Sequence, residues 1–429
     1  MKDKWLLVSF VGTTVYKEYS YKFGDNDTIK SKICGVAIAE NKKKSLGLSN
    51  GVILFVCTKE SYAMHHETIR AYLKELNFVS DQYDFLIFDQ NDYKSLFSSL
   101  FERLKNLDFT KLFIDITNTF RSIPFFLYPE FLFYKEQFNV EMATYYAHPK
   151  GDIKKNGYFS VDAINASTEI IEWLFVTRIF IQKGDGNDFA RLMREEYNKK
   201  RSMAQNSEQH KKLGTLNKIA QKLEDFTIFF NAGDIFKFGR TAWVLLDMIN
   251  KIENTGITEF FEYPWVLHSM LKKIKTPLET VALQEKKKHK VILNIDELRR
   301  EQNILNWYLQ VRNYNRAVVF AREFIINCQL YNSEAQDFLD RETREKVGCY
   351  LQEKLVKKIN KQKVTINKLD ELWQQIRIIR NYISHCGQKH DDFPKNYPEK
   401  FQKSLEKIAG SPIEVLLSEI KEDKPYLAL

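Results

Sequence analysis

Residues 111–122 read KLFIDITNTFRS, and this stretch decides the fold that the sequence predicts for the first third of the chain. KLFIDI is a short, mostly apolar run, which is typical of a buried strand in a parallel sheet. The loop TNTFR that follows is polar, and an apolar helix is predicted from residue 122 to residue 138. A strand, a polar loop and a helix in this order indicate an α/β domain.

The same pattern recurs on both sides of this stretch. Single helices separate the predicted strands, which indicates βαβ crossovers and a doubly wound sheet. The region around residues 15–23 is expected to form a hairpin or an irregular return. The sequence thus predicts a Rossmann-like, mainly parallel sheet. Its other predicted strands are 5–11, 51–57, 83–88 and 140–146, and its other predicted helices are 61–76 and 92–107.

Three loops of this sheet are candidates for ligand binding, because ligands bind outside the carboxyl ends of the strands in such folds. Gly, Thr, Asn and Arg, with backbone N–H groups at a helix start, suit a phosphate-bearing ligand. Ordinary turn and capping chemistry explains the loop Gly-Thr-Thr at least as well. No GxGxxG or P-loop lysine motif is present, which argues against a dinucleotide enzyme or an NTPase. The candidate residues are Gly12, Thr13, Thr14, Thr58, Asp115, Thr117, Asn118, Thr119, Arg121 and Ser122.

From about residue 163 onward the sequence predicts an all-α region. Residues 197–213 are polar and basic, and we expect a loop or an exposed helix there. The basic runs within residues 271–290 suit either a solvated face or a surface that guides RNA. The predicted helices are 162–183, 216–236, 239–252, 297–330, 334–362, 368–386, 398–409 and 412–421.

Residues 367–387, NKLDELWQQIRIIRNYISHCG, are where we place the chemistry of the chain. Asn367 is the predicted N-cap, and apolar residues recur at helical spacing. On the helical wheel Arg380, Asn381 and His385 share a polar patch beside the apolar stripe. A guanidinium, an amide and an imidazole together suit an anionic phosphate and a proton transfer. An ordinary amphipathic helix also presents such a polar face.

Composition narrows the class of protein. A chain of 429 residues predicts two or three domains, and 44% hydrophobic with 28% charged residues indicates a soluble globular protein. The sequence shows no membrane span and no signal peptide, so we expect a cytoplasmic protein. The net charge of +9 favours a nucleic-acid partner. Five scattered cysteines without a CxxC indicate reduced thiols.

No metal cofactor is expected. Histidines and acids cluster at residues 65–67 and again at residues 385–392. Neither cluster has the paired i, i+4 ligands of an HExxH motif, and the remaining histidines are isolated. No GxSxG motif and no local signature of a cysteine nucleophile is present.

Segments at both ends of the chain resemble the CARF–HEPN ribonucleases, which are accessory nucleases of type III CRISPR systems. Residues 7–23, LVSFVGTTVYKEYSYKF, resemble the first strand and loop of CARF domains. Residues 115–122, DITNTFRS, resemble their D-x-T-H-G-F-R-S segment, with Asn118 and Thr119 in place of His and Gly. Residues 380–385, RNYISH, resemble the R-x4-H signature of HEPN ribonucleases.

The resemblance implies a CARF ligand-sensing domain at residues 1–165, a helical connecting region at 166–290 and a HEPN domain at 291–429. It implies a homodimer or a higher homo-oligomer that binds cyclic tetra- or hexa-adenylate as an allosteric activator and cleaves single-stranded RNA without a metal. The two substitutions in the ligand loop bear on the size of the ring and on whether the ring is cleaved.

The implied chemistry uses the 2′-OH of the RNA as the nucleophile. His385 would transfer a proton, Arg380 would stabilise charge on the phosphoryl oxygens, and Asn381 would orient the phosphate or His385. Two alternatives remain open at this point. In the first, the chain is a nucleotide-sensing binding module or regulator without nuclease activity. In the second, it is a HEPN-type toxin that something other than a nucleotide controls.

Overall fold

The computed structural model describes residues 4–24, 27–47, 51–89, 92–118, 123–152, 157–164, 166–202, 204–255, 264–333, 335, 337–360, 367–384 and 397–421. The chain divides into two compact units, Met1–Glu169 and Ile170–Leu429. Each unit has its own clusters of buried apolar side chains. The predicted domain boundaries at residues 165 and 290 stay predictions.

The first unit is built on a mixed sheet of eight strands within the described residues. In chain order the strands are β1 (Trp5–Val11), β2 (Tyr19–Phe23), β3 (Asp27–Ser31), β4 (Gly51–Thr58), β5 (Tyr83–Phe88), β6 (Lys111–Asp115), β7 (Glu141–Lys150) and β8 (Tyr158–Ala163). Their order across the sheet is β3-β2-β8-β7-β6-β1-β4-β5. The strands from β7 to β5 all pair in parallel, so the prediction of a mainly parallel sheet is confirmed.

β1 lies at the centre of this sheet, between β6 and β4. All seven of its residues are buried, because side chains on both faces are covered. Trp5, Leu7 and Val11 pack on one face with the helices α1 (Cys34–Leu46) and α2 (Lys59–Glu75). Leu6, Val8 and Phe10 pack on the other with α3 (Tyr93–Leu104) and α4 (Ile123–Phe138). The continuous apolar run of β1 is therefore the centre of a doubly wound arrangement.

Three elements of this unit differ from the sequence prediction. β2 and β3 form an antiparallel hairpin. β3 was not predicted because it is short, and α1 was not predicted because its second half is rich in lysine. β8 was also missed, and the prediction of a helix from residue 162 is wrong at its start. Residues 162 and 163 belong to β8, which pairs antiparallel with β7, and α5 begins only at Ala166. The pairing of β8 with β7 outweighs the local helical pattern.

The second unit consists of helices and the loops that join them, with no strand among the residues that the structure describes, as predicted. Its helices are α5 (Ala166–Lys183), α6 (Asn187–Arg201), α7 (Ser207–Ala232), α8 (Ile235–Thr255), α9 (Pro264–Val281), α10 (Ile295–Gln310), α11 (Tyr314–Asn332), α12 (Arg341–Ile359), α13 (Lys368–Ser384), α14 (Tyr397–Gly410) and α15 (Ile413–Lys421). One cluster of buried apolar side chains extends from Trp173 in α5 to Ile420 in α15. None of the helices described has the length and apolar content that spanning a bilayer requires.

One helix boundary in this unit corrects the prediction. The segment 297–330 was predicted as one helix, but it is divided between α10 and α11. Arg312 has a φ of +57°, and the side chain of Asn313 caps α11 by accepting a hydrogen bond from the backbone N–H of Arg316. Asparagine is a strong N-cap residue, so the cap overrides an otherwise continuous helical pattern. Residues 197–213, predicted as a loop or exposed helix, lie mostly in α6 and α7 and are mostly exposed, which confirms the second of these two expectations.

A buried carboxyl group connects α10 to α11. Both carboxyl oxygens of Glu301 lie within hydrogen-bond distance of Asn327 Nδ2, at 2.7 and 2.8 Å. Burial raises the pKa of Glu301 to about 8, and the neighbouring Glu297 contributes to the increase. The folded protein therefore holds a proton on this group at pH values where the unfolded chain has lost it.

We expect the stability of the helical unit to fall as pH rises from about 4.5 towards 8, because the raised pKa of Glu301 favours the protonated form in the folded state. The contribution of Glu301 to the free energy of unfolding is complete below the pKa that this group has in the unfolded chain. It is lost as pH rises through the pKa of the group in the folded protein. Glu301→Gln should flatten this part of the profile, by a few degrees in Tm. Calorimetric melts between pH 5 and 8 measure it. The exposed Glu353→Gln serves as the control, and an unchanged slope in Glu301→Gln would contradict the assignment.

A second prediction concerns the contact between α1 and the sheet. A Cβ on Gly35 would lie 2.0 Å from Ser9 Oγ and 3.2 Å from Asp115 Oδ2. These neighbours are buried and hydrogen-bonded to each other, so they cannot move aside cheaply. Gly35→Ala should destabilise the protein by about 1–3 kcal/mol. Gly214→Ala is the control, because no atom lies within 4 Å of its Cβ position on α7. A thermal melt in which the two variants match would contradict this prediction.

Candidate functional site

The loops after β1 and β6 meet at the carboxyl end of the sheet. β1 pairs with β4 on one side and β6 on the other, so the direction of winding changes between β1 and β6. Gly12, directly after β1, approaches the β6 loop so closely that a Cβ would lie 2.8 Å from the backbone oxygen of Asn118. Glycine is required for such an approach. This is the topological switch point where doubly wound sheets bind ligands.

Two of the predicted ligand residues hold the β6 loop in place. The buried Asp115 accepts hydrogen bonds from Ser9 Oγ at 2.8 Å and from the backbone N–H of Thr117 at 3.0 Å. Burial raises the pKa of Asp115, and the bonds from Thr117 and Ser9 oppose that increase. The hydroxyl of Thr117 accepts from the backbone N–H of Ala147 at 3.0 Å and lies 3.4 Å from Cys34 Sγ. Both side chains are thus occupied within the protein.

Thr58 is occupied as well, at the start of α2. Its hydroxyl accepts a hydrogen bond from the backbone N–H of Ser61 at 3.2 Å, and Ser61 Oγ accepts one from the N–H of Thr58 at 2.9 Å. This reciprocal pair is a capping box. The capping chemistry that the sequence offered as an alternative role for threonine therefore applies to Thr58.

Two side chains that the sequence analysis did not place at this site lie beside Gly12. Tyr16 Oη accepts from the backbone N–H of Gly12 at 2.8 Å, and its ring packs against His65 of α2 with 4.5 Å between ring centroids. Burial lowers the pKa of His65, and a backbone hydrogen bond with Thr14 opposes the change. His65 was considered only as a metal ligand. Its position on α2, the helix that begins at the carboxyl end of β4, is a sequence signal that points to this site.

Two buried nitrogens at the switch point have no hydrogen-bond partner among the described residues. One is Nδ2 of Asn118 and the other is Nε2 of His65. A buried polar atom without a partner is unusual, and an oxygen-rich ligand would supply one. Thr13 is half-buried and Thr14 is exposed in the same loop. The candidate site therefore brings together the predicted residues Gly12, Thr13, Thr14 and Asn118 with Tyr16 and His65, and their role in ligand binding stays a prediction. Thr119, Arg121 and Ser122 lie outside the described residues.

The second predicted site lies on α13. Its apolar stripe is buried, and Arg380 is exposed at the edge of this stripe, one turn after the buried Ile376. Asn367 caps the helix by accepting from the backbone N–H of Asp370 at 2.9 Å, as predicted. Asp370 in turn accepts from Lys354 Nζ of α12 at 2.6 Å, and both side chains are buried. A buried ion pair thus fixes the start of the helix that presents Arg380.

The other two residues of the predicted catalytic set are not placed. His385 lies outside the described residues, and for Asn381 the structure describes the backbone as the continuation of α13. The structure accordingly does not test whether the three groups converge. Within the described ranges, no three His, Cys, Asp or Glu side chains come together in a way that could hold a metal ion.

No family model matches the chain. It is 23% identical over 341 residues to a CRISPR-associated protein of Methanocaldococcus jannaschii. This chain is similar to a CRISPR-associated protein. The alignment covers 77% of this chain and 46% of the archaeal protein, so the chain spans about half the length of the curated relative it matches. The similarity agrees with the predicted link to CRISPR-associated proteins, while the CARF and HEPN assignments rest on the motifs.

Proposed function

We propose that this chain is a CRISPR-associated endoribonuclease that cyclic oligoadenylate activates. Cyclic tetra- or hexa-adenylate would bind at the switch point of the first unit, and single-stranded RNA would be cut at the polar face of α13. The observation that carries the proposal is the exposed Arg380 at the first position of the R-N-x3-H motif, beside the buried apolar stripe of α13. The similarity to a CRISPR-associated protein supports it.

The sensor half of the proposal depends on the groups at the ends of β1 and β6. A cyclic oligoadenylate carries phosphate and ribose oxygens, which accept hydrogen bonds from backbone N–H groups and from an amide nitrogen. Asn118 Nδ2 is a buried donor without a partner among the described residues, and Gly12 lets the loop after β1 lie directly against the loop that carries Asn118. A two-fold homodimer would present two such sites to one symmetric ring.

The nuclease half depends on chemistry that needs no metal. In RNA the 2′-OH next to the cut bond is the nucleophile, and cleavage leaves a 2′,3′-cyclic phosphate. His385 would transfer a proton at that oxygen or at the leaving 5′ oxygen. Arg380 would stabilise the negative charge that develops on the phosphoryl oxygens, and Asn381 would orient the phosphate or His385. Two copies of α13 would form one composite site in the homodimer.

Arg380→Ala should lower RNA cleavage by about 100-fold or more, because it removes the cation that stabilises the phosphoryl charge. Arg377→Ala is the matched control: Arg377 is also exposed and lies one turn earlier on the same helix, so it should change the rate less than about threefold. The measurement is cleavage of a fluorescent single-stranded RNA in EDTA, with and without each ring.

The outcomes of this assay separate the possible functions. Cleavage that one ring activates and that Arg380→Ala and His385→Ala abolish supports the full proposal. A protein that binds a ring but never cuts RNA is a sensor or regulator instead. Equal losses in Arg377→Ala and Arg380→Ala would indicate general electrostatic attraction of RNA rather than a catalytic arginine. Cleavage that no ring changes would remove the proposed activator.

Asn118→Ala should weaken binding of the cyclic oligoadenylate by about tenfold, because the ring loses a hydrogen bond from a buried amide. Asn106→Ala, at an exposed asparagine in the same unit, should leave the affinity unchanged. Calorimetric titration of both variants and the unmodified protein with each ring measures the effect. Unchanged affinity in Asn118→Ala would show that the ring does not use the switch point.

A further inference from the structure

A pocket of about 490 Å³ in the helical unit contains none of the residues that the sequence predicted for either site. It lies between the start of α8, the middle of α11 and the start of α12, with Lys288 on one side. Its volume falls in the range of pockets that bind small molecules, about 300–1,000 Å³. The side chains that line it include a cationic set and an apolar set.

The cationic set exceeds the acidic residues around it. Four basic residues line the pocket, against two acids, Asp234 and Glu323. Lys237 pairs with Asp234 at 3.4 Å, and Arg344 pairs with Glu323 at 2.6 Å. In the part of the chain that the structure describes, the other two cations have no carboxylate partner. The four basic residues are Lys237, Arg240, Lys288 and Arg344.

Arg240 also carries a buried donor without a partner. Its Nε is inaccessible to solvent and finds no acceptor among the described residues. Burying an N–H group without an acceptor is unfavourable, and an anionic oxygen in the pocket would satisfy it with a charge-assisted hydrogen bond. The amino end of α8, where this pocket lies, favours negative charge as well. Both features favour an anion beside Arg240.

Arg344 is held in a fixed orientation before any ligand arrives. Its Nη1 donates to Asn327 Oδ1 and to the backbone oxygen of Phe338, both at 2.7 Å, and its Nη2 donates to Glu323. Asn327 is fixed in turn by the buried Glu301. A cation that is already ordered loses little conformational entropy on binding, which favours a specific site over a mobile surface charge.

The rest of the wall is apolar. Its aliphatic and aromatic side chains are mostly buried. Lys288 Nζ lies 4.9 Å from the ring centroid of Phe236, so the cationic and apolar parts are in direct contact. A ligand that fills the pocket therefore needs an anionic group and a flat or apolar body. The apolar residues are Ile235, Phe236, Phe320, Phe338 and Leu339.

We propose that this pocket binds a nucleotide, with the phosphate between Arg240 and Lys288 and the base against the apolar wall. The nucleotide is either a free mononucleotide or one residue of an RNA strand, since both present the same chemistry. The proposal does not depend on the switch point or on α13 and stands if neither has the proposed function.

The test uses the full chain carrying Arg380→Ala, so that RNA stays intact. AMP, adenosine and inorganic phosphate are titrated by calorimetry, and a fluorescent single-stranded 12-mer RNA by anisotropy. The pocket variant carries Arg240→Gln and Lys288→Gln. The matched control carries Lys272→Gln and Lys273→Gln, which remove the same charge from two exposed positions on α9. If Arg240→Gln lowers the Tm, the single variant Lys288→Gln is used in place of the double variant, because Lys288 is exposed.

AMP should bind at least tenfold more weakly to the pocket variant, with the control within about twofold. Adenosine and phosphate should each bind more weakly than AMP. A loss confined to the RNA titration would assign the pocket to a nucleotide within a strand. Equal affinities of pocket variant and control for both AMP and RNA would overturn the proposal, and so would phosphate binding as tightly as AMP.

Discussion

The buried carboxyl group of Asp115 is the constraint on which the first unit depends. It joins β1 through Ser9 and the β6 loop through the backbone of Thr117, while Gly35 allows α1 to approach the same group. Burying a carboxyl group is costly unless its oxygens accept hydrogen bonds. Ser9 and the backbone of Thr117 donate these hydrogen bonds, and the bond from Thr117 fixes the loop that carries Asn118. The geometry of the candidate ligand site thus follows from the hydrogen bonds that the buried carboxyl group of Asp115 accepts.

The helical unit also buries a carboxyl group, and a series of hydrogen bonds and ion pairs compensates for its burial. Glu301, Asn327, Arg344 and Glu323 link α10, α11 and α12 in sequence. In an interior of low dielectric, each member strengthens the orientation of the next, and an unpaired member would be unfavourable. The last members reach the surface of a pocket. A network that is required for packing therefore also presents an oriented guanidinium to a ligand.

The sequence predicted the features that depend on local pattern. The apolar runs of β1, β4 and β6 identified the parallel sheet, because strands buried on both faces are continuously hydrophobic. The apolar stripe of α13 and its cap at Asn367 were predicted on the same basis. β8 and the break between α10 and α11 were missed, because the first depends on pairing with β7 and the second on a single cap at Asn313.

The candidate site could be predicted only in part, for a physical reason. The rule for doubly wound sheets selected the loops that carry Gly12 and Asn118. It could not tell which side chains are already occupied, and Asp115, Thr117 and Thr58 make hydrogen bonds within the protein instead. Tyr16 and His65 were missed because their contact joins residues on different elements. Which side chains are free for a ligand depends on the full set of hydrogen bonds, which a pattern in one segment does not contain.

The proposed switch also sets a quantitative requirement on the sensor. A ring shifts the equilibrium between a resting and an active arrangement only by the difference between its affinities for the two. A 100-fold rise in cleavage needs a difference of about 2.7 kcal/mol, which is the size of one or two charge-assisted hydrogen bonds. A contact that is equal in both states, such as one to a loop fixed by Asp115, contributes affinity but no activation. The activating contacts must therefore come from groups that change position between the two states.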